Sequence, residues 1–555
     1  MKNSSLSIIH TGKFPFANDP NSILVWCPKM NLIFISMNKT SIWCYRVDGE
    51  RIYSINNRSV IKSIAFFDNL FCLSGVDSLV KIYDSNDGKL VKILNNEYDN
   101  IQFINWVETA YNLEDELISN LPRIHSISSS LNYLVINDKN SINLCFNKSL
   151  NIRYPLSSHI TQQLSKELFQ QIYLDDKNNL ISVNINTSSK KLYVKSVLMV
   201  CQIIEYLEHM NNTIVKIEEE LKPFLTLFDR YLSNLNDEVN GNLISVLNDM
   251  LLTNIIPEST KDFWCNQFGE RGYKKIIKSL ESIYDDCEKR IFTYSAAPIE
   301  RIIILLNNLT GICKWKNVLG LNVTDLVSIM QRCQNSLKSF YRLIWTLKDE
   351  KSKIAEFISW WKTILDMLND QEFTRNYSTS NLIEYINTNL LRSETLNYFR
   401  YDLDLIKPAD FQSTLLEKHL ETENIFSRIL QQINTHHQSI VTVKYSRTLK
   451  LSNTNLKISQ WDDKTVITYI DESNNLILST PEQDFAKIPN VLAYEHRSKD
   501  LIALTKEHLL IVDTSSSIPF NLPELSFEPK KVKSNKSYVC LTDKMNSDYV
   551  ILKVE

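Results

Sequence analysis

Residues Phe263–Leu321 read FWCNQFGERGYKKIIKSLESIYDDCEKRIFTYSAAPIERIIILLNNLTGICKWKNVLGL, and their apolar spacing decides how the middle of this chain folds. From Tyr273 the apolar positions are Tyr273, Ile277, Leu280, Tyr284, Cys287, Ile291 and Tyr294. Steps of four and three keep them on one side of a helix for about three heptads. Ser295 and Pro298 then offer the start of a new helix, where a missing N–H costs nothing. The stripe resumes as Ile302, Leu305, Leu309 and Ile312. This predicts two amphipathic helices joined by a short turn, a hairpin whose stripes bury against more helices.

Working outward, similar stripes supply the partners. Val200, Ile203, Leu207, Met210, Ile214, Ile217, Leu221, Phe224, Phe228, Tyr231 and Leu235 keep the same spacing. Pro223 lies inside that run and is expected to kink or split the helix. A further seam runs Leu326, Met330, Cys333, Leu337, Phe340, Ile344, Leu347, and a shorter one Ile354, Ile358, Trp361, Leu365, Leu368. Helical character fades after Ser380 and returns over Phe411 to Ile433. Short intervening turns favour an antiparallel bundle within one chain over a homomeric coiled coil, so no homo-oligomer is expected.

Both flanks of this helical block alternate β-like runs with turns. Ser41–Arg46 leads through Asp48-Gly49 into Arg51–Ile55, and Leu79–Asp84 leads through Asp87-Gly88 into Leu90–Ile93. Asp-Gly between apolar runs signals a hairpin. Recurrence at about forty residues points to propeller blades. Val80-Lys81-Ile82-Tyr83-Asp84 resembles the end of a WD40 repeat, without the full signature. Weaker echoes follow at Ser141–Phe146 and Leu180–Ile185. From Ser439 the β pattern returns, in Val441–Tyr445, Thr465–Ile470, Leu476–Leu478, Leu501–Leu504, Leu509–Val512 and Tyr549–Lys553.

The two β portions sum to about 310 residues, which at about 40–45 per blade makes seven blades. The C-terminal portion alone is too small to close a ring, and an open sheet edge is a liability. The expected fold is therefore β + α multidomain: a seven-bladed WD40-like β-propeller with a long α-helical bundle inserted between blades. Its expected divisions are 1–195 for the N-terminal blades, 196–437 for the inserted bundle and 438–555 for the blades completing the propeller.

Hydrophobic residues make up 43 % of the chain, enough for a packed core. Of 555 residues 61 are basic and 64 acidic, a formal net charge of −3 that gives no global pull toward nucleic acid or anionic lipid. No apolar run in the sequence approaches the ~20 residues needed to span a bilayer. The N-terminus lacks the apolar region of a signal peptide. A soluble intracellular protein is expected, without nucleic-acid or membrane partners. Ten cysteines are scattered without a CxxC pair, the pattern of buried thiols in a reducing compartment. Glycine is scarce, with 9 residues, so Asn and Asp are expected to build the turns.

Motifs for catalysis are missing. No GxxxxGK[ST], GxSxG or HExxH occurs. His436-His437 is the one adjacent histidine pair, and neighbours in sequence point different ways, which suits a metal poorly. Asp285-Asp286 precede Glu288, Lys289 and Arg290 and read as a solvated helix face. Cys287 and Cys333 lie on apolar seams and read as core thiols. Trp361 fits its seam, which turns Trp360 away by about 100°. Trp360 either packs within the chain or is an exposed anchor for a partner, a residue type favoured at binding hot spots. Pro529-Lys-Lys-Val-Lys533 with Lys536 is a short basic cluster, a solvated loop or a nuclear-import signal. Thr480-Pro481 is a minimal proline-directed phosphorylation site. No catalytic, cofactor-binding or metal-binding residue is assigned.

With those residues set out, the chain resembles a divergent, fungal-like member of the anaphase-promoting complex subunit 4 family. The carriers are Trp26-Cys-Pro-Lys-Met-Asn-Leu-Ile33, Ile104-Asn-Trp106 with Leu121-Pro122-Arg123, and the order within the helical block. There the sequence runs Gly272-Tyr-Lys-Lys275, Ser282-Ile-Tyr284, Leu305-Leu306, Leu309, Gly311, Lys314-Trp315-Lys316 and Gly320-Leu321. The similarity extends roughly to residue 350, and the last 115 or so residues match only in being β-rich. The resemblance implies a non-catalytic scaffold of a cell-cycle E3 ubiquitin ligase, active in mitosis, in nucleus and cytoplasm and without a cofactor. It implies a place in the platform beside subunits 1 and 5, joining the catalytic cullin–RING arm to the substrate-recognition arm. A vesicle-coat or nuclear-pore scaffold shares the architecture, and an enzyme with a site in the propeller channel is a third reading.

Overall fold

The computed structural model describes residues 6–554, apart from 16–18, 95–97, 113–129, 166, 178, 240, 400–413, 449–456, 462–463, 472, 480–483, 498–499, 514–516 and 536. Leu121-Pro122-Arg123, Thr480-Pro481 and Lys536 lie outside the described residues. The chain divides into two compact units, with boundaries at Val194/Lys195 and Ile433/Asn434.

The first unit is the β-propeller. Among the described residues it has seven four-stranded antiparallel sheets. Blade one is Leu24–Trp26, Leu32–Met37, Ser41–Arg46 and Arg51–Asn56. Blades two and three follow over 61–94 and 103–155. Inner strands such as Leu32–Met37 and Ser141–Phe146 are buried along their whole length, because both faces of a blade pack on neighbouring blades. The last blade takes three strands from 531–554 and its outer strand, Leu6–Lys13, from the start of the chain. Leu6 pairs with Val554 and Lys13 with Asp548, so first and last strands share one ladder. Phe14 stacks on Tyr549 at 3.9 Å just beyond it.

Asparagine and aspartate build the turns, as the shortage of glycine requires. Asp175, Asp471 and Asp543 each accept a backbone N–H four residues on, from Asn179 at 2.6 Å, Asn475 at 2.8 Å and Ser547 at 2.7 Å. Asn474 and Asn546 take the left-handed backbone inside two of these turns, at φ of 58° and 57°. Gly49 and Gly88, with φ of 85° and 71°, serve the two Asp-Gly hairpins.

The point of insertion departs from expectation. The helices interrupt a blade instead of separating two. Blade four consists of Ile160–Gln163, Gln170–Asp175 and Asn179–Ile185, completed by Val441–Thr448 from beyond the helices. Ile185 pairs with Val441, so the chain leaves and re-enters at neighbouring positions of one antiparallel ladder. An insertion at a hairpin keeps every ladder bond of the blade, which a sequence pattern cannot reveal because the pairing spans the whole bundle.

The second unit holds the bundle. Its helices are α1 (Lys190–Glu238), α2 (Leu243–Thr253), α3 (Gly269–Ile291), α4 (Ala297–Trp315), α5 (Val323–Leu368), α6 (Thr379–Thr388) and α7 (Leu415–Ile440). The residues of α1 up to Val194 and those of α7 from Asn434 belong to the first unit. The seam of α1 from Val200 to Leu235 is buried at every expected position. Pro223 does not split it. The ring stands on the exposed side, where the Glu219 carbonyl that loses its donor is not deep in the core. Asn242 and Asn322 cap α2 and α5 by accepting from Ile244 N at 3.0 Å and Thr324 N at 3.1 Å.

Phe263–Leu321 is not itself a hairpin. A π-helical turn at Phe292–Ala296 carries α3 directly into α4, so Gly269–Trp315 is one rod. Another π-turn at Phe263–Phe268 precedes it and ends at Gly269, whose backbone leaves the helix at φ 51° and ψ −173°. A π-turn adds a residue ahead of Pro298, whose ring would otherwise meet the carbonyl four residues back. It also shifts the buried face. Ser295 and Ala296 enter the core and Tyr294, expected there, turns out. The sharp turn comes at 316–322, and α5 is the rod's antiparallel partner. By length and composition the stretch Glu258–Trp315 also passes for a membrane span. Its apolar residues Ile299, Ile302, Leu305, Leu306 and Leu309 are buried in the bundle. The two seams read separately from Leu326 and Ile354 are successive parts of α5.

Candidate interaction surface

The candidates for chemistry resolve into structure. Among the described residues no group of three or more His, Cys, Asp or Glu is placed to hold a metal ion. His437 is buried beside Tyr193 in the propeller unit, with its Nδ1 3.0 Å from the hydroxyl. Asp285 pairs with Lys351 at 2.6 Å. Cys287 and Cys333 are buried, and burial pushes both thiols up to about 12, away from reactivity. The basic run at 529–533 enters a strand, Lys531–Ser534. There Lys531 donates to Pro20 O at 2.6 Å and Lys533 pairs with Glu495 at 3.0 Å, so these lysines have partners inside the blades.

Glu350 is the most deeply buried carboxylate of the bundle. It accepts from Tyr284 Oη at 2.9 Å, Ser393 Oγ at 2.7 Å and Thr395 N at 2.7 Å. Burial raises its pKa, and these donors hold it down in part. A cavity of about 390 Å³ opens beside it, between Phe228, Tyr385 and Arg392. With three donors on one carboxylate the group is satisfied, and it fastens the segment after α6 to α5.

Trp360 is not an anchor. It is 1 % exposed, with its ring 5.6 Å from Phe357 in the bundle interior. Trp361 is buried too, within 6 Å of Phe263, Trp264, Phe268 and Phe357. At this level helices cover α5 on more than one side, so a 100° turn away from the seam still leads into the core.

Two tryptophans of the bundle stand outward, Trp315 at 72 % and Trp345 at 71 % exposed. Along the α5–rod contact Lys351 pairs with Asp285, Lys348 with Glu288 at 2.9 Å, and Tyr341 Oη donates to Glu300 Oε1 at 3.1 Å. Numbers fall on α5 as they rise on the rod, so the two are antiparallel. Trp345 lies between Lys348 and Tyr341, and Phe292 between Glu288 and Glu300. Both therefore occupy one stretch of the seam. Phe292 is 59 % exposed, Tyr341 45 %, and Ile304, one turn past Glu300, 42 %. Burial and the Glu300 carboxylate both raise the Tyr341 pKa, so the phenol stays a donor. Lys338 and Arg342 stand on the same outward arc of α5, spaced with Tyr341 and Trp345 at three and four residues. Neither has an ion-pair partner among the described residues.

Phe292, Ile304, Tyr341 and Trp345 thus form an exposed apolar patch bordered by charge on two antiparallel helices. Sequence reasoning missed Tyr341 and Trp345, although their spacing off the buried seam was a signal that could have found them. The exposure of Phe292 carried no such signal, because it depends on the π-turn.

Two family models match this chain. One, described as anaphase-promoting complex subunit 4 WD40 domain, matches residues 24–109. The other, described as anaphase-promoting complex, cyclosome, subunit 4, matches residues 179–371. The chain belongs to the anaphase-promoting complex subunit 4 family. That family is a subunit of the anaphase-promoting complex, a ligase complex. The WD40 match falls in the first three blades. The subunit 4 match runs from the third strand of blade four through α5, and contains Phe292, Ile304, Tyr341 and Trp345. No curated protein matches the chain significantly. Among solved structures, it is similar to BBS1N in complex with ARL6DN in a mercury-soaked crystal. The identity is 10 %, over 28 % of this chain and 44 % of that one, with a TM-score of 0.23. A lead-soaked crystal of the same complex gives 10 % identity, 28 % and 47 % coverage and a TM-score of 0.22. The chain thus spans less than half the length of these structures.

Proposed function

We propose that this subunit 4 is a non-catalytic scaffold of the anaphase-promoting complex in its role as a cell-cycle ubiquitin ligase. Ubiquitin transfer takes place on other subunits. This chain helps form the platform that joins the catalytic and substrate-recognition arms, with subunits 1 and 5 as its neighbours, in nucleus and cytoplasm. The observation that carries this reading is the pair of family matches, one on the blades and one on the bundle, in their proper order. A closed propeller and long antiparallel helices are rigid, and rigidity lowers the ordering cost of assembly. The deciding experiment is affinity purification of the full chain followed by mass spectrometry. Stoichiometric recovery of the other complex subunits, with 1 and 5 retained longest as salt is raised, is the expected result. Recovery of coat or pore proteins in their place, or of none of the complex, overturns the proposal.

A further inference from the structure

We propose that the Phe292–Ile304–Tyr341–Trp345 seam receives an acidic amphipathic helix from another polypeptide of the complex, a reading that rests on the scaffold role above. The seam lies between two antiparallel helices, where a third helix can set its apolar ridge. From Lys338 to Lys348 it runs about 15 Å, which three turns of a partner helix cover. Trp345 and Tyr341 are the side-chain types that dominate binding energy, and both already project from a rigid helix.

Charge selects the occupant. At one end Lys348 and Lys351 are matched by Glu288 and Asp285. At the other, Lys338 and Arg342 sit four residues apart and lack an ion-pair partner among the described residues. Glu300 accepts from Tyr341, and on the α7 side Arg342 meets the like charge of Lys418, which in turn feels Glu421. Two cations beside an apolar centre call for carboxylates next to apolar residues at three- and four-residue spacing. A second copy of this chain meeting the seam about a two-fold axis would set Lys338 and Arg342 against their own kind. Two cations are also few for a nucleic-acid backbone, whose affinity is built from many phosphate contacts.

The test places the photo-crosslinker p-benzoylphenylalanine at position 345 of the full chain, in the purified complex, and sequences the crosslinked peptide. The proposal expects a segment of another subunit with at least two carboxylates and apolar residues at helical spacing. A peptide of this chain or of a second copy, a basic or non-helical segment, or no crosslink at all overturns it. Alongside, Lys338→Glu with Arg342→Glu is expected to weaken retention on the complex about tenfold with the melting temperature unchanged. Unaltered retention also overturns it. If the unmodified chain co-purifies with the complex while these tests fail, the seam assignment falls and the scaffold role stands. If the unmodified chain does not co-purify, both fall.

Discussion

The Tyr193 hydroxyl lies 3.0 Å from His437 Nδ1, which ties the first turn of α1 to the last turns of α7 inside the propeller unit. The Tyr154 ring packs against the same imidazole at 6.2 Å. Arg153 N donates to Asn434 Oδ1 at 3.0 Å, and Gln438 Nε2 to Arg153 O at 3.1 Å. With Ile185 paired to Val441 just beyond, both ends of the insertion are fastened to blades three and four. The propeller thus holds closed a loop longer than most domains, and closure entropy grows only slowly with loop length.

That clasp makes stability depend on pH. Burial pushes the His437 pKa down to about 3 from an ordinary value near 6.5. Between those values the unfolded chain binds a proton that the folded chain refuses, so stability is full above pH 6.5 and falls as pH drops toward 3. One such group contributes a slope of up to about 1.4 kcal/mol per pH unit. His496, lowered by burial to about 4, adds to it over much of the same range. Denaturant titrations of the full chain between pH 7 and 4.5 should therefore show falling stability, with a slope shallower by about one proton in His437→Phe. An unchanged slope would place the titrating group elsewhere.

The seams of α1, α3 and α5 were legible because a buried stripe at three-four spacing has few other meanings. Val200 to Leu235 and Leu280 to Ile291 follow it closely. The Asp-Gly hairpins were legible for a similar reason, since the turn chemistry is local. What escaped was non-local or depended on the backbone. The partner of Asn179–Ile185 lies beyond the whole bundle, so the place where the blade is broken left no local mark. The π-turn before Pro298 looked like a helix start, because Ser295 and the proline carry the same signal in both cases. Trp360 was weighed on the wheel of a single helix, whereas its burial comes from helices outside that wheel. The candidate seam was missed: the partner anchor considered was Trp360, and the only available signal was the spacing of Tyr341 and Trp345 off the buried stripe.

Glu350 offers a test of the network that holds the segment after α6. Replacing it with alanine removes one acceptor and strands Tyr284 Oη, Ser393 Oγ and Thr395 N, a loss on the order of 3 kcal/mol. Glu350→Gln keeps an acceptor and should cost less. Hydrogen exchange is expected to rise first over 389–398 in the alanine variant. If protection there is unaltered, the carboxylate is not what fastens that segment.

The two kinds of tryptophan should respond in opposite ways. Trp361→Ala opens a cavity among Phe263, Trp264, Phe268 and Phe357 and should cost about 3–5 kcal/mol. Trp345→Ala removes a side chain that is mostly in water and should change stability by no more than about 0.5 kcal/mol. Leu280→Asp and Leu309→Asp, at two buried positions of the rod, should each cost several kcal/mol and lose co-assembly along with the fold. Unchanged melting of Leu280→Asp would mean the seam is assigned wrongly.

The shared ladder of the last blade predicts what removing the outer strand does. Without residues 6–13, the Asp548–Val554 strand becomes a sheet edge along its whole length, and the pairs from Leu6–Val554 to Lys13–Asp548 are lost. That edge carries Val550, Ile551 and Leu552, all buried in the intact protein, and has no proline to block pairing with another chain. Deletion should therefore lower the unfolding midpoint and also produce concentration-dependent association, visible by light scattering during size-exclusion chromatography. Restoring the strand as a separate peptide, Leu6–Lys13, should suppress that association, because it re-forms the same backbone ladder. A truncated chain that stays monomeric with an unshifted midpoint would show that closure through this strand contributes little to holding the ring.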